Sequence, residues 1–114
     1  MKLWLDDVRN PRLFWDAHYD DSVVWVTTPE EAIQYLDTGM VTHLSLDNDL
    51  GLCEDGITGL PRDGYAVAKW LEQRVVEDDL FMPPTVMEAH TANSVAKQKI
   101  LMAFKQIRLM VKQR

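Results

Sequence analysis

The chain has 114 residues, 46% hydrophobic and 26% charged, a composition that supports one globular domain with one core and excludes a disordered polymer. Eighteen acidic against twelve basic residues give a net charge of −6, which repels polyanions at long range and excludes an extended nucleic-acid groove. The lone Cys53 staples nothing, no apolar run reaches membrane-spanning length, and the chain starts directly in a short strand-like run with no signal-like apolar region, so a soluble, cytoplasmic domain with no membrane partner is expected.

Lys2 to Leu5 is a short apolar run that meets Asp6-Asp7-Val8-Arg9-Asn10-Pro11, where Pro11 and the polar cluster end a strand. Val23 to Val26 is β-rich. Thr28-Pro29-Glu30-Glu31 then carries a helix start, with Thr28 as cap, Pro29 at the first helical position and Glu31 completing a capping box. Ala32, Ile33 and Leu36 share one face of that helix, and Gly39 ends it at a left-handed position. Val41 to Leu46 reads as a third strand, ending in Asp47, Asn48 and Asp49 before Leu50 and Gly51.

A long glycine-bearing loop containing Cys53 is expected next. From Gly64 the spacing turns helical, with Tyr65, Ala68, Leu71 and Val75 on one side. Pro83-Pro84 breaks the chain before a fourth strand, Thr85 to Ala89, which is followed by His90, Thr91 and Asn93. Ile100, Phe104, Ile107 and Val111 recur at helical spacing to the end. The lysines and arginines gathered there, Lys97, Lys99, Lys105, Arg108, Lys112 and Arg114, read as a solvated helix face.

Strands alternating with helices predict right-handed crossovers and a doubly wound parallel sheet, here of four strands with helices on both faces, as a single α/β domain over residues 1–114. Three of the four strands deliver acids or a His-Asn pair just past their C-terminal ends, the edge where open α/β sheets bind ligands. Asp6, Asp7, Asp47 and Asp49 would converge there. Two like charges about 4 Å apart repel by roughly 4 kcal/mol at a surface-like dielectric, so a hard divalent cation such as Mg²⁺ is expected among them. Each aspartate taken singly is also a good turn former. His18 and His43 read as hydrogen-bonded residues rather than ligands, and Trp4, Trp15, Trp25 and Trp70 as packing, since no basic groove interleaves them.

The order strand, Asp6-Asp7, strand, helix, strand, Asp47, then Asp63-Gly64 opening a helix resembles a response-regulator receiver domain over nearly the whole chain. That resemblance implies a flavodoxin-like fold, shortened at its C-terminus because the fifth strand and its lysine are missing from the pattern. It also implies Mg²⁺ held by the first acidic pair and Asp47, with Asp47 as phosphoacceptor. Three blocks are similar, more closely, to the divergent cyclic-phosphate processing receiver domains: Leu3-Trp4-Leu5-Asp6-Asp7-Val8-Arg9, Leu44-Ser45-Leu46-Asp47-Asn48-Asp49-Leu50-Gly51 and His90-Thr91-Ala92-Asn93. Asn48 stands where that family commonly has histidine.

This second resemblance implies a phosphate-bearing partner, either an RNA end with a 2′,3′-cyclic phosphate or a cyclic nucleotide. A phosphoesterase using Mg²⁺ or Mn²⁺ would then hold its metal on Asp6, Asp7, Asp47 and Asp49. Arg9, Thr91 and Asn93 would contact phosphate, with Arg9 offering a bidentate fork. His90, Asp47 and Arg9 would carry catalysis, His90 as general acid or base. Two other readings stay open: a signalling module phosphorylated on Asp47, and an inert receiver-like domain with a protein partner.

Overall fold

The computed structural model describes residues 1–52 and 62–114; Cys53 and most of the expected glycine-bearing loop lie outside the described residues. The elements follow in the order β1 (Lys2–Leu5), α1 (Pro11–Phe14), β2 (Val23–Val26), α2 (Pro29–Leu36), β3 (His43–Leu46), α3 (Gly64–Glu77), β4 (Val86–Ala89) and α4 (Ser94–Lys112). All strand pairs are parallel, and the sheet order is β2-β1-β3-β4. That is the flavodoxin-like order. The connection from β1 leads to β2 on one side and that from β3 leads to β4 on the other, so the crevice at the carboxyl ends of β1 and β3 is the switch point where such sheets take ligands.

Side-chain alternation gives the sheet two unlike faces. Leu3, Leu5, Val26, Leu44, Leu46, Met87 and Ala89 form one, and they pack with Ala32 and Leu36 of α2, Val67, Ala68, Leu71 and Val75 of α3, and Ile100, Phe104 and Ile107 of α4. Burying each large side chain there stabilises the fold by about 1.5–3 kcal/mol. The register partners Trp4, Trp25 and Ser45, with Glu88 paired to Ser45, lie on the other face. The segment following α1 covers part of that face, leaving Trp25 exposed. Trp15 packs on Trp4 with ring centroids 5.4 Å apart and donates Nε1–H to Glu88, while His18 Nε2 lies 3.1 Å from the same carboxylate.

Coverage of the two faces is therefore unequal. The three longer helices share the aliphatic face, and the β1–β2 connection supplies only the single turn α1, opened by Pro11 and capped by Asn10. His18 and His43 are hydrogen-bonded as expected, His43 to Thr42. Their rings lie 5.2 Å apart.

Local signals set the element ends. Thr28 accepts from Glu31 N–H, and its hydroxyl in turn donates to the Glu31 carboxylate, so only half of the reciprocal box forms. Gly39 takes φ +73 after α2, where a Cβ would be strained. The C-terminal bases are not all solvated face: Arg108 donates to the Met87 carbonyl on the outer edge of β4, and Arg114 donates to the carbonyls of Val75, Asp78 and Phe81. Among the described residues, no helix is long and apolar enough to cross a membrane.

Candidate metal and phosphate site

Asp6 follows β1 on the same face as Trp4, and its side chain is fully buried. Its Oδ1 accepts from the backbone N–H of Val8 and Arg9, both at 2.9 Å. Its Oδ2 faces His90 Nε2 at 3.0 Å. Burial by itself would raise the carboxyl, but the Arg9 and Val8 N–H groups together with His90 outweigh it and hold Asp6 below the usual carboxylate range. Asp6 is thus a buried anion fixed through both oxygens.

Asp47 continues β3 and is 6% exposed. Burial first, and the negative Asp6 second, push its carboxyl up, against hydrogen bonds from Asn48 N–H and Thr91 and the charge of Arg9. Two adjacent buried carboxylates are thereby shifted in opposite directions, Asp6 down and Asp47 up. Asp7 joins them from a more open position. The ligand oxygens of Asp6, Asp7 and Asp47 lie within 4.8 Å of one another, close enough to share one cation. Gly51, at φ +66, turns the chain past Asp7, and a Cβ there would sit 3.3 Å from Asp7 Oδ2.

Asp49 does not belong to this group. It is exposed and accepts from the Asn48 side chain at 3.2 Å, because β3 has ended at Leu46 and strand alternation no longer aims its side chain. Asn48 is buried, and its Oδ1 accepts from Tyr65 N–H at the start of α3. It ties the acidic edge to that helix. Gly64 allows the same approach from the other side: a Cβ there would lie 1.8 Å from the Asp47 carbonyl oxygen.

Arg9 Nη1 reaches the His90 carbonyl at 3.2 Å and stands 3.7 Å from Asp6 and 3.9 Å from Asp47. It is a tethered cation beside both buried acids, with a third of its side chain open to solvent. Thr91 is buried against Asp47, and its Oγ1 also accepts from Asn93 N–H. Asn93 caps α4 by accepting from Ala96 N–H, as Asp63 caps α3 by accepting from Ala66 N–H. Both caps line a cavity of about 200 Å³ together with Asn48, Tyr65 and Lys99. Two helix N-termini therefore open on the same sheet edge, where partial positive charge favours anions.

His90, expected as a general acid or base, has both ring nitrogens engaged within the protein. Its Nδ1 lies 2.7 Å from Ser45 Oγ, its Nε2 is taken by Asp6, and its ring stacks on Trp4 with centroids 3.7 Å apart and planes 3° from parallel. Burial lowers its pKa to about 4 despite Asp6. With both nitrogens engaged, the imidazole is placed to hold Asp6. Sequence reasoning missed Ser45 and the Trp25 Nε1–H that binds the Asp6 carbonyl at 2.7 Å. The available signal for Ser45 was a hydroxyl at an otherwise apolar strand centre, which needs a buried partner.

A family model described as the cyclic-phosphate processing receiver domain matches residues 1–106. No curated protein and no solved structure matches the chain.

Proposed function

Because the chain belongs to the cyclic-phosphate processing receiver family, we propose that it binds Mg²⁺ or Mn²⁺ and uses that site to process a cyclic phosphate at an RNA end or in a nucleotide. The observation that carries the reading is the approach of the Asp6, Asp7 and Asp47 oxygens to within 4.8 Å. Three hard carboxylate oxygens suit these cations, which keep open positions for water and phosphate. The resistance of Asp47 to ionisation beside Asp6 is the electrostatic condition that a divalent ion relieves. Asp49 is left out of the ligand set because it lies outside the group whose oxygens converge and accepts from Asn48 instead.

When bound, the ion supplies Lewis-acid polarisation of a phosphoryl oxygen and a more acidic water. The chain's own groups do the rest. Arg9 swings its partly exposed guanidinium from the carboxylates onto nonbridging oxygens, Thr91 offers its hydroxyl beside Asp47, and the N-terminus of α4 behind Asn93 faces the anion. His90 keeps Asp6 oriented and ionised. A strained cyclic diester already holds its leaving oxygen beside phosphorus, so charge stabilisation is the main demand on the protein.

The test offers RNA bearing a 2′,3′-cyclic phosphate and a panel of cyclic nucleotides, with Mg²⁺ or Mn²⁺, and follows consumption by chromatography. Metal-dependent loss of one substrate that disappears in Asp47→Asn supports the reading. Absence of both binding and turnover across the panel defeats it.

A further inference from the structure

Trp4 and Ser45 are register partners on β1 and β3, and Ser45 is in turn the partner of Glu88 on β4. Asp6 lies two residues beyond Trp4, and His90 two beyond Glu88, so alternation brings all four groups to one face. There they form an unbroken chain. Ser45 Oγ lies 2.7 Å from His90 Nδ1, and His90 Nε2 lies 3.0 Å from Asp6 Oδ2. Trp4 lies flat against the imidazole and donates its own Nε1–H to the Arg9 carbonyl at 2.8 Å, which fixes the stack. Ser45 is 1% exposed and Asp6 fully buried, so the serine has no access to a substrate.

We propose that Ser45 is a positioning residue, which acts through His90 to hold the Asp6 carboxylate in a fixed orientation. A neutral imidazole carries one proton, on either nitrogen. By donating to Nδ1, the Ser45 hydroxyl leaves the proton on Nε2, where it is given to Asp6 Oδ2. With the proton on Nδ1, a nitrogen lone pair would face the carboxylate oxygen 3.0 Å away, and Asp6 would have to turn aside. That turn removes an oriented oxygen from the acidic group. The other buried oxygen, Oδ1, is held by two backbone N–H groups whatever happens at His90, so Ser45 governs one specific half of the carboxylate.

The effect on metal rests on the proposed function; the effect on the imidazole does not. The experiment therefore reads both. Nitrogen NMR of the metal-free chain near neutral pH reports the His90 tautomer, and a Mn²⁺ titration reports affinity in the same samples. Wild type is expected to hold the Nε2–H form, and Ser45→Ala to shift toward Nδ1–H or a mixture, with Mn²⁺ affinity lowered about tenfold or more. Ser45→Thr keeps a hydroxyl and should restore the wild-type tautomer. Ile107→Val, which trims the core away from the site, lowers melting temperature without moving either readout. An unchanged tautomer in Ser45→Ala overturns the proposal, and so does a wild-type imidazole protonated on Nδ1, which decides the matter even where Ser45→Ala fails to fold. If wild type binds no Mn²⁺, the metal reading falls while the tautomer still decides the role of Ser45.

Discussion

His90 Nε2 meets Asp6 Oδ2 at 3.0 Å beneath the Trp4 ring, a buried imidazole sealed against a carboxylate. Burial has lowered the His90 pKa from 6.5 to about 4. On acidification the unfolded state therefore binds this proton first. The contribution of His90 is fully present above about pH 6.5 and is lost as pH falls toward 4, at a total cost of roughly 3 kcal/mol. Asp47, pushed up by burial and by Asp6, acts with the opposite sign: its ionisation costs stability that returns as pH falls through its raised pKa. Chelator-treated wild type and His90→Gln, melted across pH 4 to 7, should diverge most at the neutral end and converge toward pH 4. Parallel curves would show that His90 is not buried as a neutral group.

Gly64 is needed for proximity, not for an unusual dihedral. A Cβ at that position would lie 1.8 Å from the Asp47 carbonyl oxygen and 2.8 Å from its carbon, both backbone atoms that cannot step aside. Gly64→Ala should cost about 3 kcal/mol or more in denaturant unfolding, at the upper end for overpacking. Any folded fraction should respond less to divalent metal, because the start of α3 presses directly on the residue that carries Asp47. A loss below 1 kcal/mol would mean that the helix approaches less closely.

Much of this site was legible in the sequence, and the limits of legibility have physical causes. Acids placed directly after apolar runs located Asp6, Asp7 and Asp47, because strand direction fixes which end of a parallel sheet receives ligands. Asp49 looked equivalent, yet alternation is a property of the strand and stops with it at Leu46. The Ser45–His90–Asp6 chain and the Trp4 stack depend on the registers of β1, β3 and β4, which no local pattern encodes. The residue type of His90 suggested proton transfer; only burial and its two partners show that both nitrogens are committed. The turn α1 was hidden because Asn10-Pro11 reads equally as a strand end and as a helix start.

Arg9 stands 3.7 Å from Asp6 and 3.9 Å from Asp47, a positive charge that a metal would have to share the site with. Arg9→Gln should leave Mn²⁺ affinity unchanged or raised, while affinity for inorganic phosphate in the presence of Mn²⁺ falls about tenfold, the scale of one charge-assisted hydrogen bond. Titration calorimetry separates the two. A fall in Mn²⁺ binding with phosphate binding intact would mark Arg9 as support for the carboxylates alone.

Asp47 is not expected to take a lasting phosphoryl group. Receiver domains that do so carry a lysine beyond a fifth strand, whereas the sheet of the described residues has four strands and the cation paired to Asp47 there is Arg9. Incubation with acetyl phosphate and Mg²⁺ should leave the intact mass unchanged. A gain of one phosphoryl group that is lost in Asp47→Asn would recast the chain as a signalling phosphoacceptor.

The claim on which the rest stands is that Asp6, Asp7 and Asp47 form one cation site, and Asp47→Asn with and without metal tests it most directly. In chelator, replacing the Asp47 carboxylate by a neutral amide should raise stability modestly, since burial and Asp6 both oppose that charge. With Mn²⁺ at a hundred times its dissociation constant, wild type should gain about 2.7 kcal/mol by mass action, while the variant gains little. The order of melting temperatures then reverses between the two conditions. Equal responses of wild type and Asp47→Asn to Mn²⁺ would contradict the account, leaving the acidic group a structural feature of the sheet edge.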